Sequence, residues 1–197
     1  MNDLSVDSPG RTEEFNYSQE DPFYVIGLSD EAITEIEDYL ATLTPDQWLH
    51  HQTDYGDQKN FRLCDIHCPS PDSIVDSIGA SIFETLNNKY WQFDIDIFEF
   101  QILRYGPGGK FDWHCDYGIA PNKEVWRKLS LSCQLSDPED YKGGALVLVD
   151  YCNQHCEIPR SKGASIVFDA RCPHRAESIT EGERIVLVGW ASGPKLR

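Results

Sequence analysis

Apolar and polar positions change their spacing about halfway along the 197-residue chain. Phe23 to Leu28 (Phe-Tyr-Val-Ile-Gly-Leu) is an apolar run of strand length. Ser29 follows as a helix cap, and Ile33, Ile36, Leu40 and Leu43 recur at helical steps, which predicts a helix over roughly 30–43. Thr44-Pro45 ends that helix and opens a short turn around Trp48. Residues 50–72 hold few apolar positions and read as irregular chain. Ile74, Ile78, Ile82 and Leu86 then form an i, i+4 stripe, predicting a second helix over 72–87. Residues 1–20 are polar and acidic without periodicity and read as a flexible tail.

From Trp91 the period shortens to two. Phe93, Ile95 and Ile97 alternate with Asp94 and Asp96, and the pattern continues through Phe100, Ile102 and Tyr105. Gly106-Pro107-Gly108-Gly109 is a turn. Further strands fit 128–135, 145–150, 163–169, about 174–179 and 184–191, separated by breakers such as Asp137-Pro138 and Gly143-Gly144. Two helices followed by six or more short strands predict a mainly β fold with flanking helices. A β-sandwich or jelly roll with helices packed on one sheet fits that order. One domain over 21–197 accounts for it, with helical support over 21–90 and the β core over 91–191.

A 40 % hydrophobic and 12 % aromatic composition excludes a wholly disordered chain. Seventeen Lys and Arg against 33 Asp and Glu give a net charge of −16, which repels phosphate backbones and anionic lipid. Neither nucleic acid nor membrane is an expected partner. No apolar run reaches the ~20 residues of a membrane helix. Met1-Asn2-Asp3-Leu4-Ser5 lacks the basic and apolar regions of a secretory leader, so a cytoplasmic location is expected. Seven cysteines, an odd count, argue against a disulfide framework. Cys64 to Cys68 and Cys152 to Cys156 share the pattern Cys-x-x-His-Cys. Together these could hold a structural zinc. Their wide separation favours ordinary, partly buried cysteines.

The candidate chemistry lies in His114-Cys115-Asp116. In an extended segment, residues two apart point to one face, so an imidazole and a carboxylate would project together. That pair suits the two-His-one-carboxylate set that binds Fe(II) and leaves coordination positions open. The dipeptide spacing alone is weak, since His155-Cys156-Glu157 also fits it. The surroundings separate the two. His114 follows the Gly-Pro-Gly-Gly turn, a second histidine, His174, opens a late strand after Cys172-Pro173, and Arg184 precedes the apolar run Ile185-Val186-Leu187-Val188. An arginine inside a barrel needs an anionic partner and matches a carboxylate bidentately, as a dicarboxylate cosubstrate would provide.

Taken together, Tyr105-Gly-Pro-Gly-Gly-Lys-Phe-Asp-Trp-His114-Cys-Asp116, the strand from Leu129 to Leu135, Gly143-Gly144-Ala-Leu-Val-Leu, Pro173-His174, Arg184 and Trp190 resemble the Fe(II)/2-oxoglutarate dioxygenases. The nearest branch is the prolyl/lysyl-hydroxylase-like, PKHD-type group, and the resemblance is detailed over 90–191. It implies a double-stranded β-helix (jelly roll) and assigns His114, Asp116 and His174 as iron ligands. Arg184 would pair with the distal carboxylate of 2-oxoglutarate, with Tyr105 lining that pocket and Trp190 packing against the cosubstrate. Gln134 stands where some relatives carry a tyrosine against the same carboxylate, a departure that leaves its role open. Arg127 falls near an arginine that contacts substrate in relatives, and Trp113 is a further candidate substrate contact. The implied cofactors are Fe(II), 2-oxoglutarate and O₂, with ascorbate as an auxiliary reductant. The implied reaction hydroxylates prolyl residues of a protein or peptide with release of succinate and CO₂, under a lid formed by residues 50–60 or 117–126. Three alternatives stay open: a hydroxylase of a free amino acid or other small molecule, a sensor binding metal or 2-oxoglutarate without turnover, and an acidic interaction domain. The sequence does not specify an oligomeric state.

Overall fold

A computed structural model describes residues 22–119 and 124–195. The tail expected over 1–20 and the middle of the 117–126 segment lie outside the described residues. Strand β1 (Phe23–Gly27) leads into helix α1 (Asp30–Ala41), where the Ser29 side chain accepts from the Ala32 N–H. A 3₁₀ turn at Pro45–Gln47 precedes β2 (Leu49–Tyr55) and β3 (Gln58–His67). Helix α2 (Ile74–Leu86), capped by Ser73, runs into a π-turn at Asn87–Trp91 that ends on Gln92 in the left-handed region. Strands β4 (Ile97–Tyr105), β5 (Lys110–His114), β6 (Gly118–Ile119), β7 (Trp126–Gln134) and β8 (Tyr141–Gly143) follow. The remaining strands are β9 (Leu146–Val149), β10 (His155–Glu157), β11 (Ala164–Asp169), β12 (His174–Ala176), β13 (Ile179–Gly182) and β14 (Arg184–Gly193).

Ten of these form one antiparallel path, β1-β11-β7-β14-β4-β3-β5-β12-β9-β10. The path curls at β3, which pairs through Asp65–His67 with β4 and through Arg62 and Leu63 with β5. The two halves then face each other. Ala176 of β12 packs with Val186 of β14, and Leu148 of β9 packs with Ile166 and Phe168 of β11. This is the jelly roll expected from the sequence.

Alternation divides the larger wall into two surfaces. Phe100 and Ile102 of β4, Leu129, Leu131 and Cys133 of β7, and Leu187 and Ala191 of β14 pack with Ile36, Ile78, Ile82 and Phe83 of the helices. The intervening positions, among them Ser130, Gln134, Arg184 and Trp190, turn toward the interior of the roll and are buried. Among the described residues no helix is long and apolar enough to cross a membrane.

Residues 50–72, read from the sequence as irregular, contain most of β2 and all of β3, so the first half of the chain supplies strands beyond the one expected at Phe23 to Leu28. The physical reason is exposure. β2 pairs with β3 alone and presents Leu49 and Tyr55 to solvent, so no buried face demands apolar alternation. The alternation at Phe93 and Ile95 likewise precedes the strand, which starts at Ile97.

Helix α2 approaches the sheet through a gap left by two glycines. A Cβ at Gly79 would overlap the Phe100 ring, and so would one at Gly189 on the strand beneath it. Alanine at an exposed helical site would gain about 1 kcal/mol in propensity over glycine. Here overpacking outweighs that gain, and Gly79→Ala is expected to destabilise the fold by about 1–2 kcal/mol. Urea unfolding checks this; an unchanged or higher midpoint would show that Phe100 moves aside freely.

Candidate active site

Strands β5 and β12 pair with His174 directly across from His114, so both imidazoles project from one face with ring centroids 4.1 Å apart. Beyond β5 the backbone N–H groups of Asp116 and Tyr117 both donate to the Ala170 carbonyl, at 2.9 and 2.8 Å. This bend brings the Asp116 carboxylate between the rings. His114 Nε2 lies 3.6 Å from Asp116 Oδ1, and His174 Nε2 lies 3.5 Å from Asp116 Oδ2. Main-chain carbonyls hold the other ring nitrogens, Asp112 O at 2.7 Å from His114 Nδ1 and Cys172 O at 3.0 Å from His174 Nδ1. A carbonyl only accepts, so both Nδ1 atoms carry hydrogen and both Nε2 atoms face the carboxylate. Phe111 stacks on the His114 ring at 3.5 Å and Phe168 meets the His174 ring edge-on at 4.7 Å.

The carboxylate is anchored from the opposite wall. Ser130 Oγ donates to Asp116 Oδ2 at 2.7 Å, and the Trp190 side chain supplies a further hydrogen bond. Among the described residues, His114, Asp116 and His174 form a group of metal-ligating side chains whose donor atoms all lie within 4.8 Å of one another. Two imidazole nitrogens and one carboxylate on a shared face fit a facial Fe(II) site.

Arg184 opens β14 opposite Tyr105 of β4 and is only 2 % exposed. Its Nε donates to Gln134 Oε1 at 3.0 Å, and its guanidinium carbon lies 5.8 Å from the centre of the Tyr105 ring. Among the described residues no carboxylate lies within ion-pair distance of it. Burial lowers its pKa, yet a guanidinium stays cationic in proteins. A buried cation whose side-chain partners are the neutral Gln134 amide and Tyr141 hydroxyl has strong need of an anion. The cavity that Arg184 faces, about 500 Å³ including its mouth, is also lined by His114, Asp116, His174, Tyr105 and Trp190.

The other expected residues are distributed unevenly. Gln134 does not line the cavity; it stands behind Arg184 and aligns it. Trp190 lines the cavity, and besides reaching Asp116 it carries the Arg127 guanidinium 3.9 Å over its ring. Arg127 also lies 3.9 Å from Glu99. Trp113, the other candidate substrate contact, is not among the residues lining the cavity; it packs near His155 and under Arg175, since it alternates with His114 along β5. Phe111 reaches the interior despite its odd offset from His114 because the β5–β12 register shifts there. The Cys-x-x-His-Cys segments lie on β3 and around β10, widely separated in the sheet, and no cysteine joins a metal-donor group among the described residues. Sequence reading missed Ser130 and Arg62, both at the site. Ser130 was recognisable only as a polar break in an apolar strand, and Arg62 lay in the segment read as irregular.

The model of the 2OG-Fe(II) oxygenase superfamily matches residues 100–192. A PKHD-type hydroxylase of Rippkaea orientalis is 35 % identical over 88 residues, 44 % of this chain and 39 % of that protein. The chain thus spans about two fifths of the length of the curated relatives it first matches. Among solved structures, a Pseudomonas putida prolyl-4-hydroxylase superposes with a TM-score of 0.69 at 16 % identity, covering 88 % of this chain and 94 % of that one. A Trichoplax adhaerens prolyl hydroxylase in complex with a hypoxia-inducible-factor peptide gives 0.64 at 18 % identity, covering 86 % and 83 %. At these identities the structures establish the shared fold.

The site's protonation follows from its burial. Desolvation first, and His174 second, push His114 down to about 4, leaving its imidazole neutral near pH 7. Burial alone would raise Asp116, but the two imidazoles and the Ser130 and Trp190 hydrogen bonds outweigh it and hold the carboxyl below its ordinary range. Unfolded, His114 titrates near 6.5. Between those values the unfolded chain binds the extra proton, so this contribution to stability is complete above about pH 6.5 and is lost as pH falls toward 4. For metal-free protein the loss is at most about 3 kcal/mol. Urea midpoints at pH 7, 5.5 and 4.5 are expected to fall more steeply for wild type than for His114→Gln; parallel slopes would contradict the buried neutral imidazole.

Proposed function

We infer that this chain, which belongs to the 2OG-Fe(II) oxygenase superfamily on its PKHD-type branch, hydroxylates prolyl residues of a protein or peptide. One atom of O₂ enters a substrate C–H bond, and the other enters succinate as 2-oxoglutarate loses CO₂. The observation that carries this reading is one cavity holding His114, Asp116 and His174 together with the anion-seeking Arg184. When bound, Fe(II) supplies open coordination positions and the redox chemistry that activates O₂.

Each residue then has a defined task. His114 and His174 Nε2 with an Asp116 oxygen hold the metal, while Asp112 and Cys172 carbonyls fix the imidazoles. Ser130 and Trp190 keep the carboxylate from rotating away. Arg184 takes the distal carboxylate of 2-oxoglutarate, and Gln134 aims the guanidinium. Phe111, Phe168, Val186 and Val188 line the chamber and exclude water from it. The prolyl substrate class is supported by the names of the PKHD-type relatives and of the two prolyl hydroxylases. Residues 50–60, at the tip of the β2–β3 hairpin, remain the candidate cover over the mouth.

The test incubates the protein with Fe(II), 2-oxoglutarate, ascorbate and proline-containing peptides, with mass spectrometry reading a one-oxygen gain. His114→Ala should abolish the gain. Arg184→Gln should keep Fe(II) binding but raise the KM for 2-oxoglutarate by roughly tenfold or more, the loss of a charge-assisted contact. Succinate formed without any modified peptide, or an oxygen gain that survives His114→Ala, would overturn the assignment.

A further inference from the structure

The cavity has a second cation that the reading above leaves without a task. Arg62 projects from β3 into the chamber, with its guanidinium carbon 4.8 Å over the Phe111 ring, and Phe111 in turn stacks on His114. Its Nη2 donates to Gln101 Oε1 at a long 3.3 Å. Its Nε is buried and has no hydrogen-bond partner among the described residues. Arg127 repeats the pattern on β7, across β14 and β4 from β3, with its guanidinium on the ring of the cavity-lining Trp190, an ion pair to Glu99 at 3.9 Å, and a buried Nε without a hydrogen-bond partner among the described residues. Glu99 and Gln101 are two apart on β4 and so serve both arginines from one face. Phe111 and Trp190, the rings that carry Arg62 and Arg127, line the same cavity as His114 and Asp116, so the two guanidinium groups flank the chamber of the metal-donor set.

Aromatic support alone does not account for these groups, because buried donors in folded proteins are almost always satisfied. A planar, two-oxygen anion suits donors of this geometry. Asp116, the nearest carboxylate of the ligand group, is already held by Ser130 and Trp190 and turned to the two imidazoles. We propose that Arg62 and Arg127 together bind a carboxylate of the substrate, so that the hydroxylated residue is flanked by an acidic side chain or is itself followed by a free C-terminal carboxylate. This rests on the hydroxylase reading and narrows its substrate class. The net charge of −16 repels such a substrate at a distance, so selection occurs on contact inside the cavity, where screening is weak.

The experiment uses protein loaded anaerobically with Fe(II) and 2-oxoglutarate and measures peptide binding by calorimetry. Matched short peptides compare a prolyl C-terminal carboxylate with its amide, and Pro-Asp with Pro-Asn in amidated peptides; parallel sets carry alanine in place of proline. The carboxylate member of at least one pair should bind about tenfold tighter, the worth of one charge-assisted hydrogen bond. Arg62→Gln and Arg127→Gln should each shrink that preference to about twofold or less, with Arg62→Lys retaining part of it. The two kinds of pair distinguish a side-chain carboxylate from a terminal one. Absence of a carboxylate preference in every pair, including absence of binding, overturns the proposal. So does a preference that survives Arg62→Gln, or an Arg62→Gln variant that loses 2-oxoglutarate affinity instead. Preference in the alanine set without prolyl hydroxylation would remove the prolyl reading and leave this one standing, and hydroxylation without preference would do the reverse.

Discussion

β5 and β12 meet with His174 opposite His114, and a one-residue slip of that register would turn one imidazole to the far side of the sheet. So short a strand as β12 cannot hold its register unaided. On its other edge it pairs with β9, with His174 across from Leu148, and the Val149 N–H donates to the Pro173 carbonyl at the entry. Beyond its exit the Gly-Pro-Gly-Gly turn clasps Ile179 through two main-chain bonds, Gly108 N to Ile179 O and Ile179 N to Gly109 O. The turn that leads into β5 therefore also pins the chain that leaves β12. Ligand geometry is set by the backbone ladder before any side chain is considered.

The same two-residue period lets one wall carry both stability and chemistry. Helix-facing positions of β4, β7 and β14 are apolar and bury the helices, while the opposite faces of β7 and β14 hold serine, glutamine, arginine and tryptophan. Burying charged groups destabilises a fold by several kcal/mol unless they are paired. Apolar contact on the reverse face offsets that cost residue by residue along the same strands. The glycines at 79 and 189 show how tight that face is, since each leaves room only for the Phe100 ring.

Legibility in the sequence followed burial. β11 and β14, covered on both sides, stand out as largely apolar runs, β7 stands out by the alternation from Leu129 to Cys133, and the helices stand out because each buries one stripe. The β2–β3 ribbon left no such trace because half of it faces water, and Arg62 was hidden with it. Period two identified His114 and Asp116 as partners; the same rule, applied one residue over, already placed Trp113 outside, and only the resemblance drew it toward the substrate. Phe111 ran the other way, because a register shift that leaves no mark in the sequence carried it inside. His155-Cys156-Glu157, with the same spacing as His114 and Asp116, lies on the edge strand β10, where among the described residues no third metal-donor side chain joins it.

Under the proposed function the cavity receives a dicarboxylate, and its cations must stay unneutralised until the ligand arrives. The acceptors chosen for Arg184 and Arg62 are Gln134 and Gln101, amides rather than acids. A glutamate at either position would satisfy the guanidinium more fully, form a buried ion pair and remove the driving force for anion binding. An amide gives direction without charge: it fixes the fork of donors while leaving the field intact. In a protein with 33 acidic residues against 17 basic ones, that keeps an interior of opposite sign to the exterior. The departure at Gln134 from the tyrosine of some relatives is consistent with this division, since here the side chain orients the cation from behind.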